Sequence, residues 1–337
     1  YKGARDFYPE DKRLQKYMFN LWRQAVERFG YEEYDAPILE PLDLFLAKTG
    51  EEIVNEQTYA FEDRGGRRVA IRPEMTPTVS RMVAARRQEL SYPLRWYSIP
   101  NLWRYERPQR GRLREHWQLN VDIFGVGTLL AEAEIIQVAD NIFKAAGATH
   151  EMYSIRVNNR KLMDFILKDY LQLDSVQRHT VAKLIDRMHK TPHEMFMAEA
   201  DAIFTPSQRD AGASNKLLGL LKIKEIEHLP EQIRMHSAAL ELKELLTMLK
   251  DAGVTNAVFD LSIMRGFDYY TGIVFEIFDE NPDNNRAMLG GGRYDGLVGL
   301  FGVEPLPTVG FGFGDVTLQN FLEGHKLLPP LRPDTDA

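Results

Sequence analysis

Residues 101–125 read NLWRYERPQRGRLREHWQLNVDIFG, and the fold can be inferred outward from this stretch. Five arginines fall within eleven positions of it, namely Arg104, Arg107, Arg110, Arg112 and Arg114. Pro108 lacks a backbone N–H and Gly111 tolerates a left-handed turn, so the pattern predicts two strands joined by a basic turn. Such a loop is typical of polyphosphate binding, although an average basic hairpin is more often only a solvated surface hairpin.

The second predicted strand alternates in a way that favours a binding surface. Successive side chains of a strand point to opposite faces, so apolar residues 119, 121 and 123 share one face. Gln118, Asn120 and Asp122 then share the other face, beside the arginines. A polar face of this kind indicates the floor of a binding site.

The composition is that of a globular protein with room for roughly two domains. The 337 residues are 44% hydrophobic and 27% charged, and the net charge is -7. A nucleic-acid partner must therefore be met by local basic patches. Cysteine is absent, which excludes disulfides and thiolate metal sites within these residues and is compatible with a cytoplasmic location. No apolar run approaches a membrane span, no signal peptide opens the chain, and a first residue Tyr1 suggests a cut fragment.

Two earlier stretches carry further predictions. Apolar residues at helical spacing predict a helix over 11–29, capped by Asp11 and ended by Gly30, and the prolines of YEEYDAPILEPLDLF (31–45) predict an edge or interface strand. In RPEMTPT (72–78), Glu74 and Thr76 lie where a strand meets a helix. There they could receive a ligand ammonium group or simply cap the helix.

These stretches together resemble class II aminoacyl-tRNA synthetases. RYERPQRGRLRE followed by WQLNVDIFG resembles motif 2 in the form used by histidyl-tRNA synthetases. RGFDYYTG (265–272) is similar to the histidine-specific motif of that family, and MLGGGRYDGLV (288–298) is similar to its second histidine motif. The helix and strand of residues 11–45 are similar to motif 1, which forms the family's dimer interface.

The resemblance implies an α+β fold, with a six-stranded antiparallel sheet flanked by helices and interrupted by a helical insertion. The implied division is a catalytic core in two parts (1–158 and 237–324), an insertion domain (159–236) and a linker or tail (325–337). The family's C-terminal anticodon-binding domain has no counterpart in these residues.

The resemblance also implies the site residues. Arg104 and Arg265 would be the catalytic cations. Histidine would be bound by Glu74, Thr76, Arg104, Gln118, Asp122, Arg265, Tyr269 and Tyr270. ATP would be bound by Arg104, Arg112, Arg114, His116 and Thr317, with Mg²⁺ sharing the phosphate charge. No metal site of the protein's own is expected, because His179, His189 and His193 are best explained as scattered surface histidines.

The last motif departs from the family. LPTVGFGFGDVTLQNFL has the glycine-alternating strand and following helix of motif 3, but Val316 and Thr317 stand where a glutamate and an arginine are usual. That arginine normally packs on the adenine and reaches the γ-phosphate. His116 likewise stands where an adenine-stacking phenylalanine is usual.

The expected function is histidine–tRNA ligation, with L-histidine, ATP and histidine tRNA as partners, in a cytoplasmic homodimer without membrane contact. Two alternatives remain open. An inactive relative that serves as a regulatory subunit of ATP phosphoribosyltransferase is favoured by the altered motif 3 and disfavoured by the intact arginines. A nucleic-acid-binding module without chemistry is disfavoured by the acidic balance.

Overall fold

The computed structural model describes residues 1–46, 57–109, 111–188, 191–264, 270–284 and 286–331. The chain divides into two compact units. The first unit comprises Tyr1–Tyr153 and Phe278–Ala337, and the second unit comprises Ser154–Ile277. None of the described helices is both long and apolar enough to cross a membrane.

The α-helices are α1 Pro9–Glu27, α2 Leu42–Leu46, α3 Thr76–Ala85, α4 Leu130–Ala145, α5 Arg160–Phe165, α6 Ser175–Asp186, α7 His193–Ile203, α8 Pro206–Asp210, α9 Ala213–Leu221, α10 Glu231–Arg234, α11 Ser237–Asp251 and α12 Asp315–Gly324. The strands are β1 Glu32–Glu33, β2 Leu39–Pro41, β3 Tyr59–Glu62, β4 Arg68–Ile71, β5 Leu94–Ser98, β6 Asn101–Trp103, β7 Glu115–Phe124, β8 Tyr153–Asn159, β9 Ala257–Phe259, β10 Ile273–Asp279, β11 Ala287–Arg293 and β12 Thr308–Gly314.

The sheet of the first unit runs in the order β1-β5-β7-β12-β11, and β6 pairs with one end of β7. The pairings β5-β7, β6-β7, β7-β12 and β11-β12 are antiparallel, whereas the short edge strand β1 runs parallel to β5. The predicted α+β fold class, a sheet flanked by helices, is confirmed, but the sheet is mixed and not the purely antiparallel six-stranded sheet that was expected. The predicted basic hairpin is confirmed as well, since β6 and β7 pair across residues 104–114.

The apolar face of β7 and β12 carries the core of this unit. Leu119, Val121 and Phe313 are fully buried. The Phe313 ring packs against Trp22 of α1 at 5.7 Å and against Phe143 of α4 at 5.4 Å. Two helices therefore cover the face that the alternation of residues 119–123 predicts to be apolar, which leaves the opposite face for Gln118, Asn120 and Asp122.

Helix α1 begins two residues before its predicted start. Pro9 occupies the first helical position, where its missing N–H is harmless. The Asp11 carboxylate instead accepts the backbone N–H of Tyr8 at 3.1 Å. Asp11 is therefore the third residue of the helix and not its cap, a detail that apolar periodicity does not report.

The second unit combines helices with three strands. Strand β8 pairs in parallel with β9, and β10 lies on the other side of β8. From residue 160 to residue 251, the described chain is helical wherever it is regular, including a π-helical turn at Ile166–Tyr170. This agrees in character with the predicted helical insertion, whose boundaries at 159 and 236 stay a prediction.

A buried ion pair joins the end of β11 to the start of α4. The Arg293 Nε and Nη2 atoms donate to the two carboxylate oxygens of Glu132 at 2.6 and 2.7 Å. Both side chains are almost entirely buried. Arg293 also donates to the carbonyls of Val126 and Thr128, so the guanidinium holds three segments together.

Replacing Glu132 with alanine should lower the free energy of unfolding by about 3–5 kcal/mol, because the buried guanidinium of Arg293 loses the carboxylate that accepts two of its hydrogen bonds and keeps only the more exposed Asp295 as an acidic partner. Urea denaturation measures the change. The matched control is Glu89→Ala, which removes the exposed pair with Arg86 and should cost less than about 1 kcal/mol. Equal effects of the two substitutions would contradict the structural role of the buried pair.

Candidate active site

The polar face of β7 is kept open by glycines on β12. Asp122 is paired with Gly310, Asn120 with Gly312 and Gln118 with Gly314. Paired residues of antiparallel strands point to the same face. A Cβ atom placed on Gly310 would lie 2.1 Å from Oδ1 of Asp122, so no larger residue fits there while Asp122 keeps its position.

The lack of side chains on this face extends along β12 and onto β11. A Cβ atom on Gly312 would lie 2.3 Å from Nε2 of Gln118. Gly310 and Gly312 are in turn paired with Gly292 and Gly290 of β11. Two adjacent strands thus lack side chains on one face, and a ligand on this face can approach the backbone closely. Residues 118–122, 290–292 and 310–314 are called the glycine floor below.

Asp122 is a buried carboxylate at one end of the glycine floor. Its neighbour on the same face, Phe124, belongs to an apolar cluster with Val79 and Val83 of α3. Burial raises the pKa of Asp122 to about 7, and the hydroxyl of Tyr294, which donates to Oδ1, partly opposes this rise. The carboxyl group is therefore poised to change its charge near neutral pH.

Tyr294 is a site residue that the predicted set lacks. It follows β11 directly and lies opposite Thr308, whose carbonyl accepts the Tyr294 N–H at 2.8 Å. Two-residue alternation from Gly290 and Gly292 places it on the face of the glycine floor. Two signals were available for it, namely this alternation and its place in MLGGGRYDGLV, the stretch that resembles the second histidine motif.

Arg104 brings the basic hairpin and the segment 72–78 together. Its Nε atom donates to the carbonyl of Pro73 at 2.8 Å. Arg72, which is buried, anchors the same segment by donating to the carbonyls of Ala36 at 2.7 Å and Asn101 at 3.0 Å. The half-buried Glu74 therefore follows two anchored residues.

Thr76 is the first residue of α3 and is half-buried. Its position at the start of the helix agrees with the predicted strand-to-helix corner. The residue that caps this helix is Met75, whose side chain offers no capping hydrogen bond. Neither Glu74 nor Thr76 occupies the N-cap position, so the capping alternative is wrong in its simple form, while their ligand role stays a prediction.

His116 carries a neutral imidazole at physiological pH. Burial, together with the positive charges of Arg104 and Arg5, lowers its pKa to about 3. The residue lies opposite Leu102 of β6 and, by alternation along β7, on the same face as Gln118. An uncharged planar ring flanked by cations is suited to stacking against a heteroaromatic base.

The remaining arginines of the hairpin lie in its loop. The Arg114 guanidinium stacks over the Tyr105 ring at 4.1 Å and donates to the Tyr1 hydroxyl at 3.1 Å. Arg112 is 3.9 Å from the Glu106 carboxylate and is more than half exposed. Arg110, which belongs to the predicted basic turn, lies outside the described residues.

The first turn of α12 replaces the usual motif 3 charges with an internal network. The buried Asp315 carboxylate accepts Arg5 Nη2 at 2.6 Å and the Trp117 N–H at 3.1 Å. The Thr317 hydroxyl lies 2.9 Å from two carbonyl oxygens, those of Met288 and Gly314. Thr317, predicted to bind ATP, is therefore engaged with the main chain.

The predicted residues of the second unit are only partly described. Tyr270 is half-buried and precedes β10, whereas Arg265 and Tyr269 lie outside the described residues. The chain leading to them is anchored, because the buried amide of Asn158 donates to the carbonyls of Leu261 and Ile263. The ligand roles of all three residues stay predictions.

No group of three or more histidines, aspartates or glutamates lies within reach of one metal ion in the part of the chain that the structure describes. His179 and His193 belong to separate helices, α6 and α7. His189 lies outside the described residues.

Comparison with known proteins identifies close relatives. The family model described as histidyl-tRNA synthetase matches residues 3–315. A histidine–tRNA ligase of Leptospira biflexa is 49% identical over 336 residues, which cover 99% of this chain and 76% of that protein. The chloroplastic/mitochondrial histidine–tRNA ligase of Arabidopsis thaliana is 42% identical over 338 residues, which cover 99% of this chain and 68% of that protein.

Solved structures agree with this result. Histidyl-tRNA synthetase from Nostoc sp. has a TM-score of 0.82 and 25% identity, covering 98% of this chain and 76% of its own. An ATP phosphoribosyltransferase regulatory subunit/histidyl-tRNA synthetase from Bacillus halodurans has a TM-score of 0.79 and 24% identity, covering 98% of this chain and 83% of its own. The second likeness shows the shared fold alone.

The raised pKa of Asp122 makes stability depend on pH. Between the usual aspartate pKa and about 7, the folded state keeps a proton that the unfolded state releases, so this group's contribution is lost as pH rises through 7. Asp122→Asn removes this loss. The unfolding free energy of the variant minus that of the unchanged protein should therefore rise by about 2 kcal/mol between pH 5.5 and pH 8. Urea denaturation at both pH values measures it, and a difference that does not vary with pH would contradict the shift.

Gly310→Ala should destabilise the first unit by about 1–3 kcal/mol, since the new methyl group overlaps the Asp122 carboxylate. Thermal unfolding followed by circular dichroism checks this. Gly296→Ala is the matched control, because a Cβ atom there has no neighbour within 4 Å. If the two variants melt alike, Gly310 is not needed to make room for Asp122.

Proposed function

The chain belongs to the histidyl-tRNA synthetase family, and on this premise we propose that it activates L-histidine with ATP and transfers the histidyl group to histidine tRNA. The observation that carries the proposal is the 49% identity to a histidine–tRNA ligase over 99% of the chain. The glycine floor, closed at one end by the Asp122 carboxylate, supplies a surface suited to a small polar ligand.

The first step is an in-line displacement at phosphorus. A carboxylate oxygen of histidine attacks the α-phosphorus of ATP, and the bond to the bridging oxygen breaks. Pyrophosphate leaves with Mg²⁺, which enters as part of the nucleotide substrate. The protein contributes positioning and charge neutralisation, because the reaction needs no covalent intermediate on the enzyme.

Arg104 and Arg265 are the proposed catalytic cations. Arg104 is supported by its position, since its Nε atom donates to the Pro73 carbonyl at 2.8 Å and so holds the arginine next to Glu74 and Thr76. Arg265 is proposed from the RGFDYYTG motif. Two cations that contact the substrate carboxylate and the α-phosphate would stabilise the charge that develops in the transition state.

The imidazole of histidine is proposed to bind Asp122. A buried carboxylate with one strong partner, the Tyr294 hydroxyl, retains acceptor capacity for a ring N–H. An amino acid without such an N–H would leave the remaining acceptor position of the carboxylate unfilled, which penalises that amino acid more than a lost apolar contact would. Glu74, Thr76 and Gln118 are proposed to receive the α-ammonium group, and Tyr269 and Tyr270 to line the pocket.

The nucleotide is proposed to lie over the other end of the glycine floor. His116 supplies a neutral ring for the adenine, and Arg112 and Arg114 cover the outer phosphates with Mg²⁺. Thr317 stays in the proposed set only through its place at the start of α12. In the second step, the terminal ribose hydroxyl of the tRNA attacks the histidyl carbonyl, loses its proton and releases AMP.

The proposal includes a cytoplasmic homodimer. The dimer is supported by exposed apolar side chains in the small sheet β2-β4-β3 and just before β2. These are Ile38, Leu39 and Phe61, each between 45% and 47% exposed. Apolar surface of this kind is typical of a protein interface. Ile38 and Leu39 also lie in the stretch that resembles motif 1. The cytoplasm is proposed because ATP and tRNA meet there during translation.

The test is exchange of labelled pyrophosphate into ATP without tRNA. We expect exchange that requires histidine. We also expect Asp122→Ala to raise the KM for histidine about 100-fold or more while the KM for ATP changes less than threefold, since Asp122 contacts the amino acid alone. Asp251→Ala, an exposed aspartate in the last turn of α11, is the control and should leave both constants unchanged.

Absence of exchange by the unchanged protein, with histidine still binding in calorimetry, would refute the ligase and support the regulatory-subunit alternative, which the altered motif 3 favours. Equal increases in both KM values for Asp122→Ala would instead assign Asp122 a structural role.

A further inference from the structure

Because the motif 3 arginine is absent, the proposed nucleotide site lacks one of the positive charges usual in the family. Val316 and Thr317 are uncharged, and the Thr317 hydroxyl is engaged with the carbonyls of Met288 and Gly314. The first turn of α12 therefore presents no positive side chain toward the hairpin loop. A triphosphate there needs compensation from elsewhere in the chain.

Arg286 lies at this position from a different element. A Cβ atom placed on Gly111, at the turn of the basic hairpin, would be 3.7 Å from Nη1 of Arg286 and 4.0 Å from Cγ2 of Thr317. Asn320, one turn further along α12, is also 4.0 Å from that point. The Arg286 guanidinium and the residue that replaces the family's arginine therefore both lie close to the same side of Gly111.

The backbone directs Arg286 toward the same face as the glycine floor. It precedes β11 by one residue, and two-residue alternation through Met288, Gly290 and Gly292 leads back to it. The backbone of Gly111 is left-handed (φ +78°), so the loop turns sharply where it meets the guanidinium. The Arg286 side chain is exposed, and a ligand phosphate can reach it.

Resting on the proposed function, we propose that Arg286 binds the terminal phosphate of ATP and thereby serves the role that the absent motif 3 arginine has in the family. The planar guanidinium can donate two parallel hydrogen bonds to one phosphate group. The cation then comes from the residue just before β11, while α12 supplies only a compact threonine. Together with Arg112 and Arg114, it would surround the outer phosphates from two sides of the hairpin loop.

The test compares ATP with AMP, which lacks the outer phosphates. By titration calorimetry without histidine, Arg286→Gln should weaken binding of ATP with Mg²⁺ about 10- to 100-fold and change AMP binding less than twofold. Arg64→Gln, which removes an exposed arginine from the β3–β4 turn, is the control for loss of one positive charge and should change neither. The KM for ATP in pyrophosphate exchange should rise in parallel, with the KM for histidine unchanged.

A second variant tests the exchange of roles directly. Thr317→Arg, combined with Arg286→Gln, should bind ATP at least tenfold more tightly than Arg286→Gln alone. Recovery supports the proposal, and its absence would overturn the equivalence of the two positions. The phosphate contact would be overturned if Arg286→Gln weakened ATP and AMP binding equally. It would also be overturned if Arg286→Gln bound ATP as tightly as Arg64→Gln does. Because these outcomes require an unchanged protein that exchanges pyrophosphate with histidine present, failure of that exchange marks failure of the proposed function instead.

Discussion

The burial of one carboxylate, Asp122, constrains the rest of the first unit. An aspartate loses hydration when it is enclosed by a sheet and a helix, and it stays ionisable only if its neighbours leave room and provide donors. Gly310 leaves that room, because a Cβ atom there would overlap the carboxylate oxygen. Tyr294 provides the donor. Both residues come from strands more than 160 positions away along the chain, so the sheet order β7-β12-β11 is itself a requirement of the site.

The opposite face of the same strands explains what holds the site in register. Leu119, Val121 and Phe313 are packed beneath α1 and α4, and the Arg293–Glu132 pair ties the end of β11 to α4. A shift of β11 along β12 by one residue would turn Leu289 and Arg293 onto the floor and pull Arg293 away from Glu132. The packing of the core thus specifies the register that clears the binding surface.

Local patterns predicted the parts of this structure that depend on near neighbours. The β6-β7 hairpin follows from Pro108, Gly111 and the alternation beyond them, and this alternation also separates the apolar and polar faces correctly. The start of α1 is also a local feature, marked by Pro9 and by the hydrogen bond between Tyr8 and Asp11, but the prediction rested on apolar periodicity, which does not report a cap. The Arg5–Asp315 contact joins residues 310 positions apart, and no local pattern reports such a pairing. The position of Arg286 near the hairpin loop could not be predicted for a related reason. It belongs to no motif, and its relevance arises from a loop that folds back against it. The proposed ligand roles of Glu74, Gln118 and Asp122 come instead from the motif resemblance, because motifs record spatial constraints that periodicity does not contain.

The glycine floor has a consequence for the unliganded protein. Two adjacent strands without side chains give the sheet little on that face to pack against, and the carboxylate at its end is only partly compensated. A histidine bound as proposed would supply both the missing contacts and a partner for the carboxylate, as a core side chain would. A ligand that binds only the folded state stabilises it in proportion to the logarithm of its free concentration. The substrate would then act as a non-covalent part of the fold, and its supply would set the fraction of molecules open to unfolding and proteolysis.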